Sequence, residues 1–201
     1  MIEANDSFDF IPYGQEGDAL LLSCKWVIAI RDGAESKVLK ARLCARDLAR
    51  KKRDDLFAPG ENALTGRVID YKGTQCDLDR YTLDVQGAYN TIPEPEHVVV
   101  KPPQEWLDWQ AQQGLSTAVL WKMKKLLPGR RVASKLWVKH VGEQLKSVGF
   151  EQCPGQPQFF HNKTTKLTCS VHMDDIHGCG PAEEIDKHLT ELAALLPLKK
   201  A

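Results

Sequence analysis

A chain of 201 residues, 42% hydrophobic and 27% charged, is long enough to bury a core in one large domain or two small lobes. Its longest apolar runs, such as Ala19 to Leu22, fall far short of a bilayer span. The acidic stretch Met1 to Asp9 lacks the basic and apolar regions of a signal peptide, so an intracellular protein away from membranes is expected.

Residues 1–20 read as a loosely structured lead-in. Lys25 to Ile30 reads as a strand, Arg31-Asp32-Gly33 as a turn and Val38 to Ala45 as the partner strand of a hairpin. Alternation puts Lys40 and Arg42 on one face, Ala41 and Leu43 on the other. Ala58-Pro59-Gly60 marks a loop, and Leu64 to Tyr71 reads as a short helix. Tyr81 to Val85 is a strand bearing Asp84 near its end, and Pro93 and Pro95 then interrupt regular structure. His97 to Lys101 is a strand stopped by Pro102-Pro103, Gln104 to Gln113 a helix, and Val119 to Met123 another strand.

Pro128-Gly129 breaks the chain before an amphipathic helix from Arg131 to Val148, whose apolar face carries Val132, Leu136, Val141, Leu145 and Val148. Gly149 closes it, and Pro154 to Pro157 forms a loop. Leu167 to Val171 and Ile176 to Gly178 make a second hairpin, and Pro181 to Leu196 a last helix with Ile185, Leu189, Leu192 and Leu196 in register. The order of elements is mixed α+β.

Net charge is zero, which taken alone argues against a nucleic-acid binder. The average conceals two basic runs, Lys37 to Arg53 and Lys122 to Lys146, each opposed by a single acid, Asp47 and Glu143. Local charge density rather than the total sets phosphate affinity, although a charge run also serves as a plain solvated face. The six cysteines are scattered without a C-x-x-C pair, so reduced, mostly buried thiols are expected and no zinc site.

Two acidic positions carry candidate chemistry. Asp84 ends an apolar strand, and Asp174-Asp175 sits at the turn of a hairpin flanked by apolar strand. Adjacent carboxylates on a tight turn repel each other and a divalent cation relieves the repulsion; aspartate is also an ordinary turn former. Asp54-Asp55, in a charged loop-like stretch, reads as the ordinary kind. His172 and His177 flank the pair as His-x-Asp-Asp-x-His, a pattern seen in hydrolytic metal sites, yet strand parity is not expected to gather both imidazoles with the carboxylates.

Leu83-Asp84-Val85-Gln86-Gly87-Ala88-Tyr89 resembles the first catalytic block of reverse transcriptases, and His172-Met173-Asp174-Asp175 their Tyr-x-Asp-Asp box. Lys25-Trp26-Val27 with Lys40-Ala41-Arg42-Leu43-Cys44-Ala45-Arg46 looks like the fingers signature of the copia-type retrotransposon class. Val98 to Pro103, Leu126 to Trp137 and Leu145 to Phe160 are similar to its further blocks, in the family's order and covering about Lys25 to Leu196. The chain departs from the pattern at His172, Pro128, Ser134 and Val132.

The resemblance implies an α+β polymerase palm, an antiparallel sheet with packed helices, plus an N-terminal fingers lobe across residues 21–201. The thumb, protease, integrase and RNase H modules of a Pol polyprotein are expected to lie outside this chain. It implies an RNA-directed DNA polymerase in which Asp84, Asp174 and Asp175 hold two Mg2+ or Mn2+ ions. Val85 (through its carbonyl), Tyr89 (as steric gate), Lys40, Arg42 and Gly129 would bind the dNTP. The partners implied are an RNA or DNA template with primer, in a cytoplasmic particle or the nucleus. The alternative is a catalytically inactive, decayed element that retains only nucleic-acid binding.

Overall fold

The computed structural model describes residues 6–32, 36–49, 53, 56 and 63–199. Gly33 of the first expected turn, Arg50 to Lys52 of the first basic run, Asp54-Asp55 and Ala58-Pro59-Gly60 lie outside the described residues. In chain order the strands are β1 (Phe8–Pro12), β2 (Leu20–Asp32), β3 (Lys37–Ala45), β4 (Asp79–Asp84), β5 (Val98–Lys101), β6 (Val119–Met123), β7 (Glu151–Cys153), β8 (Gln156–His161), β9 (Thr168–His172) and β10 (Asp175–Gly180). The helices are α1 (Ala63–Gln75), α2 (Gln104–Gln112), α3 (Ala133–Ser147) and α4 (Ala182–Leu195), with a short 3-10 turn over Ala88–Thr91. The fold is mixed α+β, and the backbone forms two compact units, Met1–Arg53 with Tyr89–Ala133, and Asp54–Ala88 with Ser134–Ala201. No helix among the described residues is long and apolar enough to cross a membrane.

The first unit holds a five-stranded sheet in the order β1-β6-β5-β2-β3. Val98, Val99 and Val100 of β5 are all buried, as a continuous apolar run at the centre of a sheet should be. β5 runs parallel to the start of β2 and antiparallel to β6. The core beneath gathers Leu22, Val98, Val100, Trp121, Met123 and Leu127. β1 corrects the expected loose lead-in: Phe8–Pro12 pairs with β6, and the Phe8 ring stacks on Trp121 at 4.4 Å. The acidic side chains Asp6 and Asp9 of this segment are both taken by the Lys124 ammonium. From Cys24 onward β2 pairs with β3 alone as an arm, on which Val27, Ile28, Ile30, Val38 and Leu39 are exposed.

The second unit holds the antiparallel sheet β4-β10-β9-β8-β7. Its register puts Tyr81, Leu83, Cys169, Val171, Ile176 and Gly178 on one face. Against that face lie α3, with Gly142 close to the Phe160 ring, and α4, with His188 beside Tyr81. Trp137, Val141 and Leu145 bury one stripe of α3 at four-residue steps. Gly178 is required where it stands, because a Cβ there would come within 2.4 Å of the Tyr81 ring. α1 covers the opposite, polar face, where Lys72 reaches Thr168 (2.5 Å) and Asp70 reaches His177 (3.2 Å). The expected loop Pro154 to Pro157 takes in Gln156 and Pro157, the first two residues of β8. Pro157 is accommodated because it falls in the irregularity between the Cys153–Gln156 and Gln152–Phe160 pairs, where no ladder donor is needed. All six cysteines are free; Cys169 and Cys179 are buried, while Cys76 is exposed.

His188 occupies an apolar position in the α4 stripe, 4.7 Å from the Phe150 ring, with its Nε2 unpartnered. Burial pushes its pKa down to about 4, against about 6.5 in an unfolded chain. The neutral ring therefore costs nothing above about pH 6.5, and stability falls between pH 6.5 and 4 as the unfolded state takes up the proton first. Urea unfolding is expected to show a loss approaching ~3 kcal/mol over that window. A His188→Leu variant should flatten that part of the profile; an unchanged slope would show another group responsible.

Candidate active site

Asp84 closes β4, the edge strand, and Asp175 opens β10; the two are direct Cα partners across the sheet. Side chains of such a pair leave the same face with Cβ atoms roughly 5 Å apart. β9 and β10 are joined by the two-residue turn Met173-Asp174, with Met173 at φ +50°, a conformation uncommon for a side-chain-bearing residue. The Trp137 indole N–H of α3 donates to the Met173 carbonyl. The Val85 N–H donates to the Asp174 carbonyl at 2.8 Å. The structure thus brings Asp84 beside Asp175 and ties the residue after Asp84 to the Asp174 backbone.

The outer edge of β4 is not bare. Gln86 N–H donates to the Pro197 carbonyl and Lys199 N–H to the Asp84 carbonyl, both at 2.8 Å, and Val85 bridges Leu198. Lys199 Nζ lies 3.7 Å from Asp84 Oδ2. Nothing in the sequence pointed to this lysine, which follows a helix-ending proline.

The same register corrects the reading of the histidines. His172 is the cross-strand partner of Asp175, and His177 lies two residues along β10, so both share the carboxylate face. His177 is nonetheless held by other groups, with Nε2 3.2 Å from Asp70 and Nδ1 3.3 Å from Thr82. The Asp84–Asp175 pair offers hard oxygen donors, the chemistry that Mg2+ and Mn2+ prefer, with Asp174 next along the turn. Among the described residues no three Asp, Glu, His or Cys side chains converge into a ready-made cation cage, so a bound ion would have to draw its ligands together.

Tyr89, Lys40, Arg42 and Gly129 belong to the first unit, whereas the aspartates and Val85 belong to the second. Lys40 and Arg42 are exposed on β3, opposite Ala29 and Val27. They share a face with Lys25, while Ile28, Ile30, Leu39 and Ala41 share the other. Tyr89 is half-buried on the 3-10 turn, and Val85 is buried. Gly129, at φ +88°, is required by packing: a Cβ there would lie 2.3 Å from the Ala45 carbonyl oxygen.

Part of the second basic run is already matched by acids within the chain. Arg130 is buried and bonds Glu94 (2.9 and 3.0 Å), Glu96 (2.7 Å) and Asp47 (2.5 Å), and Lys124 is taken by Asp6 and Asp9. No known family model matches the chain, and no curated protein shows significant similarity to it.

Proposed function

We propose that the chain is the fingers and palm of a copia-type reverse transcriptase, an RNA-directed DNA polymerase that joins a dNTP to a primer 3′-hydroxyl. The observation that carries the reading is the direct pairing of Asp84 with Asp175 at the end of an antiparallel sheet, next to the Asp174 turn. Asp84, Asp174 and Asp175 would hold two Mg2+ or Mn2+ ions, which supply activation of the hydroxyl and neutralisation of the triphosphate. The chain's own residues orient and bind. Lys25, Lys40 and Arg42 offer one exposed basic face to phosphates, the Val85 carbonyl adds an oxygen donor, and the Tyr89 ring stands as the gate against a 2′-hydroxyl. The partners are a primed RNA or DNA template and, in an intact element, the integrase and RNase H portions of the same polyprotein, in a cytoplasmic particle or the nucleus.

The test is primer extension on an RNA template with Mg2+ or Mn2+. Slow extension is expected, lost in Asp174→Asn, since the positioning of the hydroxyl by the bound ions dominates phosphoryl transfer. No extension by the folded protein would overturn the polymerase reading in favour of a nucleic-acid-binding remnant.

A further inference from the structure

The candidate site carries its own cation. Asp84 stands directly across a strand pair from a second carboxylate, Asp175, where a positive charge beside Asp84 is favoured. The segment after α4 is arranged to deliver one. Leu196 is buried, Pro197 accepts from Gln86 N–H, and Lys199 N–H donates to the carbonyl of Asp84 itself. The tail is thereby laid antiparallel along the free edge of β4, and the Val85–Leu198 bridge fixes its register. The root of the Lys199 side chain is tied to the residue whose carboxylate its ammonium approaches, at 3.7 Å.

The contact is also open. The Lys199 side chain is 62% exposed and that of Asp84 45%, so the pair is weak and screened, with water able to replace either partner. A buried bidentate pair would lock the carboxylate; this one occupies it loosely.

We propose that Lys199 is a resident counter-cation of the Asp84 carboxylate and competes with the divalent ion for it. The inference rests on the proposed role of these aspartates as cation ligands. When a divalent ion loads on Asp84, the Lys199 ammonium swings to solvent, while the backbone hydrogen bonds of the tail keep it nearby to return when the ion leaves.

The experiment is a Mn2+ titration of the full chain followed by the EPR signal of free Mn2+ at low ionic strength. It compares the unaltered chain with Lys199→Met, Lys199→Arg and Asp84→Asn. Lys199→Met, which keeps the bulk of the side chain without its charge, is expected to bind Mn2+ about 3- to 5-fold more tightly. Lys199→Arg should stay near the unaltered value, and the difference between Met and Lys should shrink in 0.5 M KCl. Asp84→Asn should lose most of the binding. If Asp84→Asn weakens Mn2+ binding but Lys199→Met leaves it unchanged or weaker, the competition is disproved and the cation site stands. If Asp84→Asn changes nothing, or no Mn2+ binds, the cation role of the aspartates fails and this inference with it.

Discussion

Asp84→Asn is expected to lower single-turnover primer extension by roughly 10³-fold, about 4 kcal/mol of transition-state stabilisation, without harming the fold. The substitution keeps the shape of the side chain and removes one negative charge, so in the proposed role it would act on cation binding and leave packing alone. The backbone hydrogen bonds that tie this corner survive it: Val85 N–H to the Asp174 carbonyl, and Lys199 N–H to the Asp84 carbonyl. Removing the Asp84 charge ends both its repulsion from Asp175 and its loose attraction to Lys199, so stability should change by less than ~1 kcal/mol. Loss of activity with so little change in stability is the signature of a residue kept for function. Thermal unfolding and extension measured on the same preparation decide the matter. Activity within tenfold of the unaltered chain would remove Asp84 from the catalytic site.

Much of the fold is legible in the sequence because its signals are local. The run of valines at 98–100 and the spacing of Val141 and Leu145 in α3 announce one strand and one helix without help from elsewhere, although Trp137 rather than the expected Leu136 is the buried member of that stripe. Where the sequence misleads, the deciding partner is remote. β1 reads as part of a loosely structured lead-in until Lys124 supplies charge and Trp121 supplies a surface. The start of β8 reads as loop because Pro157 is read without the irregularity that tolerates it. The pairing of Asp84 with Asp175 follows from sheet register, which spacing along the chain does not encode. The parity of the two histidines likewise depends on where the two-residue turn falls: placed at Met173-Asp174, it leaves His172 and His177 on the carboxylate face.

Arg130 is the largest misreading and gives the second large expected effect. It stands in a basic run that reads as phosphate-facing, yet its side chain is 1% exposed and spans Glu94, Glu96 and Asp47. Glu94 is fully enclosed, and the Asp47 Oδ2 also accepts the Arg131 N–H at 3.0 Å. Arg130→Ala leaves buried carboxylates facing one another without the guanidinium, and a loss of ~3–5 kcal/mol is expected. Arg130→Lys should recover only part of it, because a single ammonium cannot reproduce the fork that meets both Glu94 oxygens.

The pH dependence separates this cause from simple loss of packing. Hydrogen bonding from Arg53, then from Arg130, holds the Glu96 carboxyl below the usual range against the opposing pull of its burial. In the unaltered chain that contribution is present above the unfolded carboxylate pKa of about 4.3 and is lost as pH falls below it. In Arg130→Ala the stranded acids gain by taking protons, so the gap between the two proteins should narrow on going from pH 7 to pH 4. Lys122→Ala, in the same run but exposed, should change stability by less than ~0.5 kcal/mol. Urea unfolding of the three proteins at both pH values is the measurement. An Arg130→Ala loss under 1 kcal/mol, or one that does not shrink at pH 4, would show that the guanidinium is not what holds these carboxylates in place.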